Sequence, residues 1–567
     1  MEIYPMAKVV RLSSLHNGKT LPNSLLTNFR EVTGCRRFFN IRIVKTKNYL
    51  PFGSSIVSMS AILAFTIQSF AADATWTGAT SGNSATGSNW STAATPGIVG
   101  AGGTAGTSTD IATFTINTNT PVYYTSVSPN DWNLAGILFS GTPGAITIQS
   151  GTTGTGTRRI YFTAGGSGIV MDTTVASSMT FARTGISSGA SGNVLFTNNA
   201  TLSSAILNMT GTFNSLAPAA STLVLGGTNT GLNVIAGAIS NTGTGVAALS
   251  VTKNDAGTWV IGNATTTNSY SGNTTINAGI LGLAVSNALS SGTLTINGGA
   301  LASAGASART PTNNITVGGN FALGGLGKDI TLNGTMDLGG SARTLTLNNS
   351  ATIGGVISNG GLTLSSGVST RTLTLNATNT YSGATSVSSG TLLVNGSLSG
   401  STSVSVASGA TIGGDGAITN SLTVNNGASL RIGTTTADTV VGSLDTGNFT
   451  LAGTYFPTIT GNGVNDFLNI TGTATFGGTI APFLSGYAPV LNDAFNFADW
   501  SGSFTGAPTF DYTNAALTGG LDWDSSTFAT DGTLRVIPEP GSALLASLGA
   551  LGLLRCRTAR KPSSQNH

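Results

Sequence analysis

The sequence predicts an all-β fold, a right-handed parallel β-helix (β-solenoid). Two observations carry that expectation. Short runs alternate apolar and polar residues, as in Thr293-Leu294-Thr295-Ile296 and Thr344-Leu345-Thr346-Leu347, with no helical period between them. Charged residues make up only 8% of the 567-residue chain, against about a quarter in ordinary soluble proteins, yet 40% of it is apolar and the mean hydropathy is +0.22. A chain with that apolar content has a core to bury and is not disordered.

The first element is a leader, residues 1–71. Arg36, Arg37, Arg42, Lys45 and Lys47 precede an uncharged apolar run over 55–67, and small residues follow at Ser69, Ala71, Ala72 and Ala74. A positive flank, a short apolar run and a small-x-small exit make a secretory signal, with cleavage expected after Ala71. Export through Sec-type machinery is the corresponding partner expectation.

A first β region spans 72–235, and a repeated region follows over 236–430. In the latter, alternating pairs recur at Leu294/Ile296, Ile315/Val317, Ile330/Leu332, Leu345/Leu347, Leu362/Leu364 and Leu373/Leu375. Turn-forming Asn-Gly, Gly-Gly, Asn-Asn or Ser-Gly pairs bracket them. Persistent recurrence at varying spacing suggests stacked rungs, which bury aliphatic residues and pair backbone edges that a lone rung leaves open. About 460 residues at ~20–25 per coil would give some twenty coils, a rod on the order of 100 Å long. A set of β-sandwiches is the alternative arrangement.

A longer repeat overlies the short one. The segment 264–276, containing Asn268, Tyr270, Ser271 and Gly272, has a counterpart at 377–387 containing Asn379, Tyr381, Ser382 and Gly383. Ile-Ser-Asn lies upstream of each, at Ile239 and Ile357. Over about 239–430 the chain resembles the autotransporter-associated β-strand repeat. Thr380 to Gly383 and Gly390-Thr391-Leu392 fit its pattern well; the stretch from Lys253 to Trp259 fits loosely, with Asp255 and Ala256 in place of its close glycines. Trp76-Thr77-Gly78, Asn89-Trp90-Ser91 and the run from Gly136 to Phe139 are similar to the front segment of such proteins. The resemblance implies a passenger-like β-helix.

From 431 to 535 aromatic residues become denser, including Phe476, Phe495, Phe504, Phe510, Tyr512, Trp523 and Phe528. This reads as a cap of larger core residues over the open last coil; a sugar-binding aromatic face is the functional alternative.

The last element is 536–567. Pro538, Glu539 and Pro540 precede a charge-free run of Leu, Ala and Gly over 541–554, followed by Arg555, Arg557, Arg560 and Lys561. Fourteen helical residues cover about 21 Å, a marginal span for a ~30 Å hydrocarbon core. The arrangement resembles the PEP-CTERM sorting tail of Gram-negative bacteria. That resemblance implies a short C-terminal transmembrane helix, handling by exosortase, at least transient membrane attachment and a role in a polysaccharide-rich envelope. The tail is expected in the place where an autotransporter carries its outer-membrane barrel.

Chemistry is scarce. Between residues 72 and 535 there is no histidine, cysteine or glutamate, the side chains most used for proton transfer, nucleophilic attack and metal binding. The same stretch holds ten Lys and Arg against seventeen Asp, a net charge of −7, which lacks a nucleic-acid footprint. Asp522 and Asp524 flank Trp523 and would share a strand face about 7 Å apart, the strongest carboxylate pair available. Asp466, Asp493 and Asp499 are the other candidates, and Gly413-Gly414-Asp415-Gly416 comes once near a calcium-roll pattern. No catalytic, cofactor or metal residue is assigned. The expected role is an exported, non-catalytic structural or adhesin-like surface protein, with extracellular polysaccharide or neighbouring copies as partners. A polysaccharide-degrading β-helix enzyme and a carbohydrate-binding surface protein are the rivals.

Overall fold

A computed structural model describes residues 73–541 except for short stretches, most of them between 79 and 190 and the rest at 242–244, 264, 266, 435–438 and 540. Almost every element is a short strand, because three residues suffice to place two apolar side chains inward and one polar side chain outward. In Leu294–Ile296 and Ile315–Val317 the outer two residues are buried and the central Thr faces solvent. One four-residue helix, Phe528–Asp531, follows the strand Leu521–Asp524.

The strands stack in parallel from coil to coil. One sheet runs through twelve strands from Ala74–Thr75 to Ile357–Ser358. A second runs through seventeen, from Val122–Tyr124 to Phe504–Gly506, each strand registered against those one coil before and after. The third side begins as a five-strand sheet ending at Ile239–Ser240 and resumes as a nine-strand sheet at Ile330–Leu332. Loops form that side in between. Where the twelve-strand sheet ends, a six-strand sheet takes over: the Thr380 amide donates to the Ile357 carbonyl at 2.9 Å.

This is an all-β stack of parallel rungs, as the sequence predicts, with seventeen strands in its longest sheet among the described residues. Successive partners on the longest sheet are 18 residues apart at Val406 and Val424 and 33 apart at Ile148 and Phe181. Longer connections in the first coils use more residues per rung. Seventeen strands at about 4.8 Å per step give roughly 80 Å. The expected C-terminal membrane helix lies outside the described residues, among which no helix is long and apolar enough to cross a membrane.

Aromatic residues fill both ends of the core. At the front, Trp76 and Trp90 meet edge-on at 5.0 Å, and Phe114 lies against both. The indole of Trp90 donates to the Ser84 carbonyl, and that of Trp132 to the Pro96 carbonyl, both at 2.8 Å, so their burial leaves no bare N–H. At the far end, Phe528 packs on Phe476 and Phe510 of the last coils. An antiparallel sheet of Ala494–Asn496, Thr533–Pro538 and Leu521–Asp524 adds Trp523, which contacts Phe495 and stacks on Tyr512. These contacts support the packing reading of the aromatic segment.

Candidate binding face

The repeated motif builds a corner of the coil. In its first copy the Asn268 side-chain oxygen accepts from the Ile239 amide at 2.9 Å, and its nitrogen donates to the Ala288 carbonyl, tying three coils together. Asn379 does the same in the second copy, accepting from the Ile357 amide at 2.9 Å and donating to the Ser397 carbonyl. Two residues on, Tyr270 and Tyr381 turn into the core, where each hydroxyl meets a threonine hydroxyl four residues later at 2.7 Å, Thr274 and Thr385. Burial raises both phenols, that of Tyr381 to about 12, so they stay neutral hydrogen-bonding groups. Gly272 and Gly383 follow because the chain there crosses the preceding coil. An added Cβ would lie 2.4 Å from the Leu249 carbonyl oxygen or 2.5 Å from that of Gly360.

The two copies do not stand on the same side. The first leads into Thr274–Ile276 of the twelve-strand sheet, the second into Thr385–Val387 of the seventeen-strand sheet. The motif has moved round by one face between them.

Ahead of the first copy, Lys253 is buried within the strand Leu249–Lys253. Its ammonium donates to the carbonyls of Asn254, Asp255 (2.8 Å) and, one coil on, Ala278 (3.1 Å). Burial lowers its pKa to about 8, against the opposing pull of the Asp255 charge. Asp255 takes a left-handed conformation, φ 57°, and its carboxylate accepts from the Gly227 amide at 2.8 Å. The looser fit of this stretch to the repeat pattern thus still makes a closed turn.

Other cations are used the same way. Arg309 donates to the Leu283 and Ala304 carbonyls, Arg343 to Leu338 and Arg371 to Leu347. Among the described residues no three His, Cys, Asp or Glu side chains are grouped to hold a metal.

The predicted carboxylates are scattered. Asp522 and Asp524 face outward while Trp523 faces in, as strand alternation requires. Asp524 accepts from the Ser526 amide at 2.9 Å, and that bond holds its pKa below the usual range, opposite to what a general acid needs. Asp493 accepts from the Tyr487 hydroxyl at 2.7 Å and the Val490 amide at 2.8 Å, Asp466 from the Gly442 and Thr458 amides, and Asp415 from the Ser443 amide. Asp499 accepts from Asn496. Each closes a turn. Of the sorting residues, Pro538 ends the cap strand opposite Leu521, and the Glu539 amide donates to the Gly520 carbonyl at 2.8 Å. Ala71, Pro540, Arg555 and Arg557 lie outside the described residues.

What the coil geometry does bring together is hydroxyls. On the twelve-strand sheet, Thr252, Thr275, Thr295 and Thr316 register in one outward column that continues into Asp337. Beside it, Asn277 donates to Asn254 at 2.8 Å and Asn297 to Asn277 at 2.9 Å. On the seventeen-strand sheet a second column runs Thr363, Ser386, Ser405, Thr423, Thr450, Thr475 and Thr505. The signal was present in the sequence as the polar middle residue of each Leu-Thr-Ile-like strand, but the register that aligns them was not.

Residues 251–283 and 370–394 match the passenger-associated-transport-repeat family. Each matched stretch contains one complete tyrosine corner. Over 108 residues, 19% of this chain, the sequence is 40% identical to the adhesin BmaC autotransporter of Brucella suis biovar 1 (strain 1330), and the matched part covers 3% of that protein. No solved structure matches the chain. The tyrosine corners at Tyr270 and Tyr381 thus lie in the two stretches that are similar to the passenger-associated-transport-repeat family, within an all-β stack of parallel strands.

Proposed function

We propose that this chain is an exported, surface-associated shaft without catalytic activity, acting as an adhesin-like or matrix protein in a polysaccharide-rich envelope. The observation that carries this reading is the pair of outward hydroxyl columns, offered to solvent while Lys253, Arg309, Arg343 and Arg371 are directed at backbone carbonyls. A long face of hydroxyls and amides forms many weak hydrogen bonds to a glycan or a neighbouring copy, and its affinity comes from their number. The similarity to an adhesin of the autotransporter type supports the surface role.

In this proposal the leader is removed after Ala71 by the export machinery, and the coils wind right-handed. The segment from Pro538 onward is a PEP-CTERM tail with a short membrane helix, processed by exosortase between the Pro-Glu-Pro signature and the basic end at Arg555 and Arg557. Cell fractionation with sequencing of both mature termini tests it. The expected product begins at Ala72, lies in the outer envelope or medium, and lacks the basic end. Protein held in the cytosol would overturn the surface role; an intact tail held in the inner membrane would overturn the processing step.

A further inference from the structure

We propose that a notch at the corner between the two long sheets is a binding site for an extended, uncharged polysaccharide. The notch has a volume of about 660 Å³ and is lined by Asp337, Asn359, Thr363, Ser382 and Ser386, together with glycines and no apolar side chain larger than alanine. That size suits a few sugar rings. The N–H groups of Gly339, Gly340, Gly361 and Gly383 are spent on bonds within the protein, so the groups offered to a ligand are the rim hydroxyls, an amide and a carboxylate. Such a lining has little to offer an apolar ligand and many partners for a polyhydroxylated one.

The carboxylate is held in place. One oxygen of Asp337 accepts from the Gly339 amide at 2.8 Å and the other from the Asn359 side chain at 3.1 Å, so it is a fixed acceptor for sugar hydroxyls. Arg343, beside Gly339, directs its guanidinium at the Leu338 carbonyl at 3.0 Å and is not among the lining residues. Asp337 is the one charged side chain among the lining residues, and its carboxylate disfavours an acidic glycan there.

The surroundings of the notch point to a chain rather than a single sugar. Asp337 stands in the column that runs from Thr252 through Thr316 and on to Ser358, and Thr363 and Ser386 stand in the column that runs from Thr344 to Thr505. The notch thus lies between two polar tracks that run past it on adjoining faces. Rungs about 4.8 Å apart approach the length of one sugar residue in an extended chain, so each sugar meets a new hydroxyl.

The ligand class rests on the envelope role proposed above, but its test does not. Titration calorimetry on the purified full chain uses cellohexaose and chitohexaose as uncharged probes and hexagalacturonate as the acidic one. At least one uncharged hexasaccharide is expected to bind, and Ser386→Leu and Asp337→Ala should each weaken it about tenfold or more. Ser382→Leu, at an exposed position of the rim, should do the same without touching the core, and Thr331→Val on the third side should leave binding unchanged. Failure of both uncharged probes at millimolar concentration, tighter binding of hexagalacturonate, or full binding by Ser382→Leu protein with an unchanged melting midpoint would overturn the proposal. Protein found at the surface that binds none of the probes loses only the notch; protein found in the cytosol that binds them loses only the surface role.

Discussion

The hydroxyls of Tyr381 and Thr385 meet 2.7 Å apart inside the coil, and Ser401 of the next coil joins them at 3.0 Å from Thr385. Tyr270 and Thr274 repeat the first contact at 2.7 Å. A polar pair at the same place in both repeat copies couples the corner to the core, because each hydroxyl is buried and satisfied by the other.

Removing the phenol oxygen should therefore destabilise the two copies unequally. Tyr270→Phe takes away the bond that Thr274 makes to it and is expected to cost about 1–3 kcal/mol. Tyr381→Phe should cost less, since Thr385 keeps Ser401. Urea midpoints of the two variants check the order; the reverse order would contradict it.

Lys253 makes stability depend on alkaline pH in a defined direction. Unfolded, its amine holds a proton up to about pH 10.5; folded, it releases it near 8. Between those values the unfolded chain binds more protons, so stability rises with pH across the window. Denaturation midpoints of the protein and of Lys253→Met at pH 7 and pH 10 should show that rise in the parent relative to the variant. A parent that falls relative to the variant would contradict the burial argument.

Gly383 tests the close crossing of coils. Gly383→Ala would drive its Cβ toward the Gly360 carbonyl oxygen, 2.5 Å away, and should cost about 1–3 kcal/mol. At Gly367, where nothing lies within 4 Å, the same substitution should stay within about 0.5 kcal/mol. Thermal melting of the two proteins distinguishes them.

Trp523→Ala should open the far end. The indole donates to the Ala515 carbonyl at 2.7 Å and packs on Phe495 and Tyr512, so its loss is expected to cost about 3–5 kcal/mol. Uncovering strand edges should also promote association, visible as larger species in sedimentation velocity.

Much of the fold is legible in the sequence because a three-residue strand encodes its own orientation. Leu294, Thr295 and Ile296 state which side faces in, and Asn297-Gly298 states where the strand stops. Coil number is less legible, because connections such as the 33-residue step from Ile148 to Phe181 break the period. The lining of the notch is not legible at all. Asp337 and Ser386 are 49 positions apart and belong to different sheets. Lys253 illustrates a further limit: its place in the repeat can be read, but its burial depends on carbonyls of two coils, including that of Ala278.

Pro538 closes the middle strand of the terminal antiparallel sheet, with Ala494–Asn496 on one flank and Leu521–Asp524 on the other. A pull applied through the residues beyond it would act along that strand and shear both flanking ladders at once. Tension would thus be shared between two sets of backbone hydrogen bonds before it reached the stacked coils, and that end would yield later than a strand peeled from one edge.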